Sequence, residues 1–257
     1  MAAPAVTGRL SLLLTRGSGL VGVLVEMGIV AVALVANLVV RWLTLDDLAI
    51  AVANAHDVLA LEQAWGLDWE HGAQDAIRAA PWLATLGAWF YVYGYLPVVA
   101  LALVVLYLRQ PAAYARLRNA LLAGGLVGLA VYLFYPLAPP RLTDLGYADP
   151  IASSLDEPSA RPVGIANEIA AMPSFHVGYL VVVSVVVFAV TDSVLVRAWC
   201  VLHPLMMAWV VVATGNHWVL DLPAGVAVAV LGLWVADQVV RRFDAYHARP
   251  GTTRPCS

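Results

Sequence analysis

The sequence predicts an all-α, polytopic membrane protein of six transmembrane helices with both termini cytoplasmic. Three observations carry that expectation. Of 257 residues, 62% are hydrophobic and only 12% charged, at a mean hydropathy of +0.82, too apolar for an ordinary soluble domain. A helix needs roughly 20 apolar residues to cross a bilayer core, and about six such stretches follow one another along the chain. The arginines, which supply every fixed positive charge because lysine is absent, fall at alternate ends of those stretches. A net charge of −3 argues against a nucleic-acid partner. The two cysteines, Cys200 and Cys256, form neither a disulfide framework nor a CxxC metal site.

Residues 1–18 read as a cytoplasmic N-terminus carrying Arg9 and Arg16. The apolar run after them continues to Val40 without a small-residue cleavage pattern, so a retained first span from Gly19 to Leu43 is expected rather than a signal peptide. Glu26 and Asn37 within it are placed to hydrogen-bond inside the bundle. The segment 46–80 is too polar to cross. Its apolar residues recur at helical spacing (Val52, Leu59, Ala60) between acids and histidines, the pattern of one or two amphipathic helices lying on the membrane surface. His56 and His71 are expected to be solvated there, each within reach of a lipid headgroup.

Pro81 opens the second span, which runs to about Leu108, and the third runs from about Leu117 to Tyr135. A loop rich in Pro, Gly, Ser and Asp follows, Pro136 to Met172. The fourth span begins at Pro173. The fifth covers about Val194 to Thr214, with His203 before Pro204 expected as a kink around a satisfied core histidine. The sixth covers about Leu220 to Val240, and 241–257 read as a disordered cytoplasmic tail. Residues 19–240 thus read as one transmembrane domain without an internal repeat. Trp42, Trp65, Trp69, Trp82, Tyr91, Tyr93 and Tyr95 fit an aromatic belt at the membrane interface.

The arginine asymmetry, with Arg109, Arg116, Arg118, Arg197, Arg241 and Arg242 on the cytoplasmic side, turns three polar stretches outward: "YPLAPPRL" (135–142), "MPSFH" (172–176) and "GNHWVLD" (215–221). Ionisable groups at span ends need partners or water and are functional candidates by default. Pro173 suits the first position of a helix, whose free N–H groups make an anion site to which Ser174 can add a hydroxyl, with His176 beside it. His217 and Asp221 are four residues apart. On a helical turn the carboxylate would accept the Nδ1–H and leave Nε2 basic. Pro223 argues that the helix begins only near the aspartate. A helix-capping Asp beside an incidental histidine is the plainer reading of that turn. Arg141, stiffened by Ala-Pro-Pro, suits bidentate phosphate binding or a headgroup anchor. Taken together, two histidines, a carboxylate, an arginine and a helix N-terminus are what phosphoryl transfer through histidine requires.

In order and spacing, these stretches resemble the type-2 phosphatidic acid phosphatase superfamily of membrane lipid phosphatases. "APPR", "AMPSFH" and "NHWVLD" look most like its branch related to inositolphosphotransferases, or inositol phosphorylceramide synthases. "LALEQAWGLDWEHGAQDAIRAAPWL" is similar to a segment that bacterial members of that branch carry before the second span. The resemblance covers about Asp46 to Val240. It implies six transmembrane helices and catalysis without metal or other cofactor. It also implies His217 as nucleophile, Asp221 as its orienter and His176 as the acid for the leaving group. Two cations of the wider superfamily pattern are missing, with Phe134 and Val211 at their positions. Arg141, the helix N-terminus and Asn216 or Arg161 are left to hold phosphate.

The expected function is therefore a lipid phosphate phosphatase working through phosphohistidine at the outer membrane face, on a lipid phosphate or phosphodiester. The main alternative is a phosphotransferase moving a headgroup such as inositol phosphate to a lipid alcohol. A metalloenzyme using His176, His217 and Asp221 as ligands, and a transporter or inactive scaffold, are the rivals from other classes.

Overall fold

The computed structural model of the protein describes residues 19–154 and 167–247. In chain order its helices are α1 (Gly19–Leu43), α2 (Leu48–Trp65), α3 (Glu70–Arg78), α4 (Pro81–Tyr93), α5 (Leu96–Arg109), α6 (Pro111–Phe134), α7 (Pro150–Ser154), α8 (Phe175–Val190), α9 (Val194–Ala213) and α10 (Asp221–His247), with a 3-10 turn at Pro140–Leu142. Among the described residues, the only strand-like pairing is an isolated bridge between Leu137 and Ala170.

The chain is a multi-pass, all-helical membrane protein. Four helices (α1, α6, α9 and α10) are long and apolar enough to cross a bilayer, and α4 with α5, bent by 41° at their junction, forms either a broken fifth span or a re-entrant pair. The second span, expected to run unbroken, is interrupted at Gly94 and Tyr95. Pro97 accounts for the break, since it lacks an N–H and its ring would strike the carbonyl of Tyr93. The fourth expected span is α8, only 16 residues long and short of the roughly 20 a crossing needs. Its start also differs from the expectation. Pro173 follows a cis peptide bond and lies outside the helix, and Ser174 is the N-cap. At the other end of the chain, α10 continues through 241–247, where a disordered tail was expected.

Helices α6, α8, α9 and α10 enclose the main core, built on Leu117, Leu180, Val182, Met207, Val211 and Ala236. Glycine sets the closest contact. A Cβ on Gly178 of α8 would lie 2.7 Å from the carbonyl oxygen of Gly225 on α10, so a larger residue would force the two backbones apart. Helix α1 packs on α6 and leaves Leu20, Val21 and Val32 exposed, as a lipid-facing helix should. One polar anchor ties it down. The Tyr114 hydroxyl donates to Glu26 Oε2 at 2.7 Å, and Arg118 donates to Oε1 of the same carboxylate.

The segment 46–80 is not merely laid on a surface. Helix α2 buries Ala51, Ala55, Val58 and Glu62 along one stripe, and α3 buries Glu70, Gln74 and Ile77. This inner face docks on the loops at one end of the bundle. Ala138 N–H donates to the Ala51 carbonyl at 3.0 Å, and Asn54 Nδ2 donates to the Pro136 carbonyl at 2.8 Å. Gln74 brackets Ala148, donating to its carbonyl at 2.9 Å and accepting its N–H at 3.1 Å.

Candidate active site

Four chain segments converge where α6 and α9 end and α8 and α10 begin. After α9 the chain turns at Gly215, whose φ of +68° is left-handed. A Cβ there would come within 2.7 Å of Gln74 Nε2 and 2.9 Å of the Ala148 carbonyl oxygen. The turn lets Val211's carbonyl accept from both Asn216 and His217, at 2.9 and 3.1 Å. His217 and Trp218 are not helical. Helix α10 starts at Asp221, whose Oδ2 accepts the Trp218 N–H at 2.8 Å. That bond fixes the carboxylate beside the imidazole four residues earlier.

His217 Nδ1 lies 3.1 Å from Asp221 Oδ2, and His217 Nε2 lies 3.3 Å from His176 Nδ1. His217 is 4% exposed and Asp221 fully buried. A carboxylate on Nδ1 selects the tautomer that carries its proton there and leaves the Nε2 lone pair facing His176. The two rings meet edge to face with centroids 5.5 Å apart, so the nitrogen opposite the carboxylate and the second imidazole are in direct hydrogen-bond contact. His176 is itself clamped. Tyr91 stacks on it at 4.6 Å between centroids, and Tyr95 packs against it at 4.4 Å, tilted by 44°. The break between α4 and α5 presents those two rings inward.

Ser174 is fully buried, and its Oγ accepts the Val177 N–H at 3.4 Å, the bond of an N-cap. Its own N–H donates to the Asp221 carbonyl at 3.0 Å, tying the start of α8 to the start of α10. Arg141 follows the rigid proline pair. Its N–H donates to the Gly215 carbonyl at 3.0 Å and its Nε to Asn216 Oδ1 at 3.0 Å. Asn216 is oriented in turn by bonds from its Nδ2 to Thr214, at 2.8 Å to the hydroxyl and 3.2 Å to the carbonyl. Asn216 thus holds Arg141 in place. The structure therefore brings together His176, His217, Asp221, Ser174, Arg141 and Asn216, whereas Arg161 lies outside the described residues. Among the described residues, no group of three or more His, Cys, Asp or Glu is arranged to hold a metal ion.

Several residues of the site escaped the sequence reading. Tyr91 and Tyr95, expected in the interface belt, pack on His176, while Trp42, Trp65, Trp69 and Trp82 are exposed as a belt would be. Trp218 is fully buried under the loop, its Nε1 donating to the Ala138 carbonyl at 2.8 Å. Glu62 and Glu70, both fully buried, accept the N–H groups of Leu220 and Val219 at 2.7 and 2.9 Å. The signal for both acids was periodic. Glu62 continues the stripe of Ala51, Ala55 and Val58, and Glu70 stands four and seven residues before Gln74 and Ile77. Of the two interfacial histidines, His71 stacks on Tyr147 at 4.1 Å, and His56 lies 3.5 Å from Asp144.

The PAP2 superfamily model matches residues 56–235. The chain belongs to the PAP2 superfamily. No curated protein and no solved structure matches it. The matched span contains every residue of the convergent site, from Glu62 on α2 to Asp221 on α10. Membership suggests a phosphatase-type activity.

Proposed function

We propose that the protein is a lipid phosphate phosphatase that works through a phosphohistidine on His217. The observation that carries this reading is the line Asp221–His217–His176, a carboxylate on one ring nitrogen and a second imidazole facing the other. Nε2 of His217 attacks phosphorus, a P–N bond forms and the P–O bond to the lipid breaks. The departing oxygen takes the proton from Nδ1 of His176. Asp221 stabilises the positive charge that builds on the His217 ring. In the second half His176 Nδ1 removes a proton from water, the hydroxide oxygen attacks phosphorus, and the P–N bond breaks. Arg141, set by Asn216, and the first turn of α8 stabilise the phosphoryl oxygens.

An alcohol in place of that water would make the same site a headgroup transferase. The resemblance of "APPR", "AMPSFH" and "NHWVLD" to the inositolphosphotransferase-like branch favours this second reading, as does the absence of cations at Phe134 and Val211. One experiment separates the two. Purified protein, with chelator in excess, is given a panel of lipid phosphates and phosphodiesters with and without diacylglycerol or ceramide. Released inorganic phosphate supports the phosphatase, and transferred headgroup the transferase. Activity lost on chelation would contradict both.

The site is proposed to face the outside of the cell, on the arginine asymmetry. A Ser153→Cys variant lacking Cys200 and Cys256 should then react with a membrane-impermeant thiol reagent in intact cells. Labelling only after permeabilisation would place the site on the cytoplasmic leaflet.

A further inference from the structure

Three consecutive backbone N–H groups lead into α10, and three carboxylates take them. Trp218 donates to Asp221 Oδ2 at 2.8 Å, Val219 to Glu70 Oε1 at 2.9 Å and Leu220 to Glu62 Oε1 at 2.7 Å. All three carboxylates are fully buried, and they come from three helices, α10, α3 and α2. Negative charge suits the start of a helix, but three buried anions so placed would repel strongly. Each also keeps a second oxygen with no partner among the described residues, namely Asp221 Oδ1, Glu70 Oε2 and Glu62 Oε2. Glu62 and Glu70 accept from adjacent N–H groups of one turn, and a proton placed on one of them would give these orphaned oxygens a donor. Two carboxylates hydrogen-bond only when one of them carries a proton.

We propose that Glu62 and Glu70 share one proton and act together as positioning residues, clamping the Val219–Leu220 turn so that His217 and Asp221 stay in register. The interfacial segment would then be the brace of the catalytic turn. As a statement about turnover this rests on the histidine chemistry proposed above. As a statement about a buried proton it does not.

The groups that face the pair are Asp221 from α10, with His217 behind it, and Tyr147 from the loop after α6, which in turn has Asp68 near it. Burial, followed by the neighbouring Glu70 carboxyl, pushes the Glu62 carboxyl up to about 9, against the lowering effect of the Leu220 N–H. Burial, then Glu70, Glu62 and Asp68, raise the Tyr147 hydroxyl as well, so it adds no charge near neutrality. The sign of the linkage follows. A carboxyl held above its ordinary 4.5 stabilises the fold fully below that pH and loses this contribution as pH climbs to about 9. There the proton leaves, and a further negative charge beside Asp221 loosens the turn.

Glu62→Gln replaces the shared O–H with an amide N–H that cannot ionise, while its Oε1 can still accept from Leu220. In full-length protein in lipid nanodiscs, wild type should show a protonated-carboxyl C=O infrared band at neutral pH that Glu62→Gln lacks. The wild-type unfolding midpoint should fall relative to Glu62→Gln as pH rises from about 5 to about 9. In lipid phosphate turnover, Glu62→Ala should lose about 10²-fold in kcat with KM little changed. Glu62→Gln should recover most of that loss and flatten the alkaline limb of the pH profile. A missing wild-type band, or unfolding midpoints that run parallel, would overturn the shared proton. Unchanged kcat in Glu62→Ala would overturn the positioning role. A wild type that turns over no lipid phosphate would sink the proposed function instead, with the infrared and unfolding arms still deciding the proton.

Discussion

The two ends of the bundle both bury charge, and they treat it in opposite ways. Near the start of α6, Arg116 forms a two-pronged pair with Asp237 of α10, at 2.7 and 2.9 Å, and Arg118 with Tyr114 occupies both oxygens of Glu26. Every carboxylate oxygen there has a partner. From Arg118 to Tyr135, about 25 Å along α6 at the α-helical rise, the pattern inverts. Asp221, Glu62 and Glu70 each keep one buried oxygen without a partner among the described residues, and two imidazoles meet nitrogen to nitrogen at 3.3 Å. Closed ion pairs join helices, whereas open valences are what a reacting group or a mobile proton needs.

Breaking the open end should cost turnover far more than stability. Asp221→Asn is the severest case. The amide no longer selects the tautomer with a free Nε2, and kcat should fall about 10³–10⁴-fold in a protein that still folds. Arg141→Lys keeps the charge but loses the fork, and should lower turnover of a lipid phosphate by about 10²–10³-fold. Near-normal turnover would reduce Arg141 to a headgroup anchor.

Breaking the closed end should do the reverse. Glu26→Ala strands the buried guanidinium of Arg118 and should cost about 3 kcal/mol in thermal or denaturant unfolding. Activity per folded molecule should hardly change, and Glu26→Ala/Arg118→Ala should recover part of the loss. Arg116→Ala removes a pair that is about one-third exposed and should cost no more than about 1 kcal/mol. If either of these variants cut kcat as deeply as Asp221→Asn, the contrast between the two ends would fail.

What the sequence made legible follows the same division. His176, His217, Asp221 and Arg141 stand in short stretches at span ends, where a bilayer leaves few reasons for an ionisable side chain. Glu62 and Glu70 were not legible because an acid in an amphipathic segment reads as a solvated one. Only the stripe through Ala51, Ala55 and Val58 reveals that Glu62 faces inward. Tyr91 and Tyr95 were hidden by the break at Gly94, for which Pro97 was the available cue. Ser174 was read as a hydroxyl donor inside a helix opened by Pro173. The helix begins one residue after Ser174, and the cap takes its oxygen.

The central claim is that phosphorus is carried by His217. Wild-type protein mixed with an activated substrate such as a nitrophenyl phosphate ester, quenched rapidly in alkali to preserve phosphohistidine, can be digested and mapped by mass spectrometry. The phosphoryl group should sit on His217. It should still form in His176→Ala and turn over slowly there, because a good leaving group needs no acid while the second half has lost its base. His217→Ala should trap none. A phosphoryl group on His176, or one trapped in His217→Ala, would contradict the account.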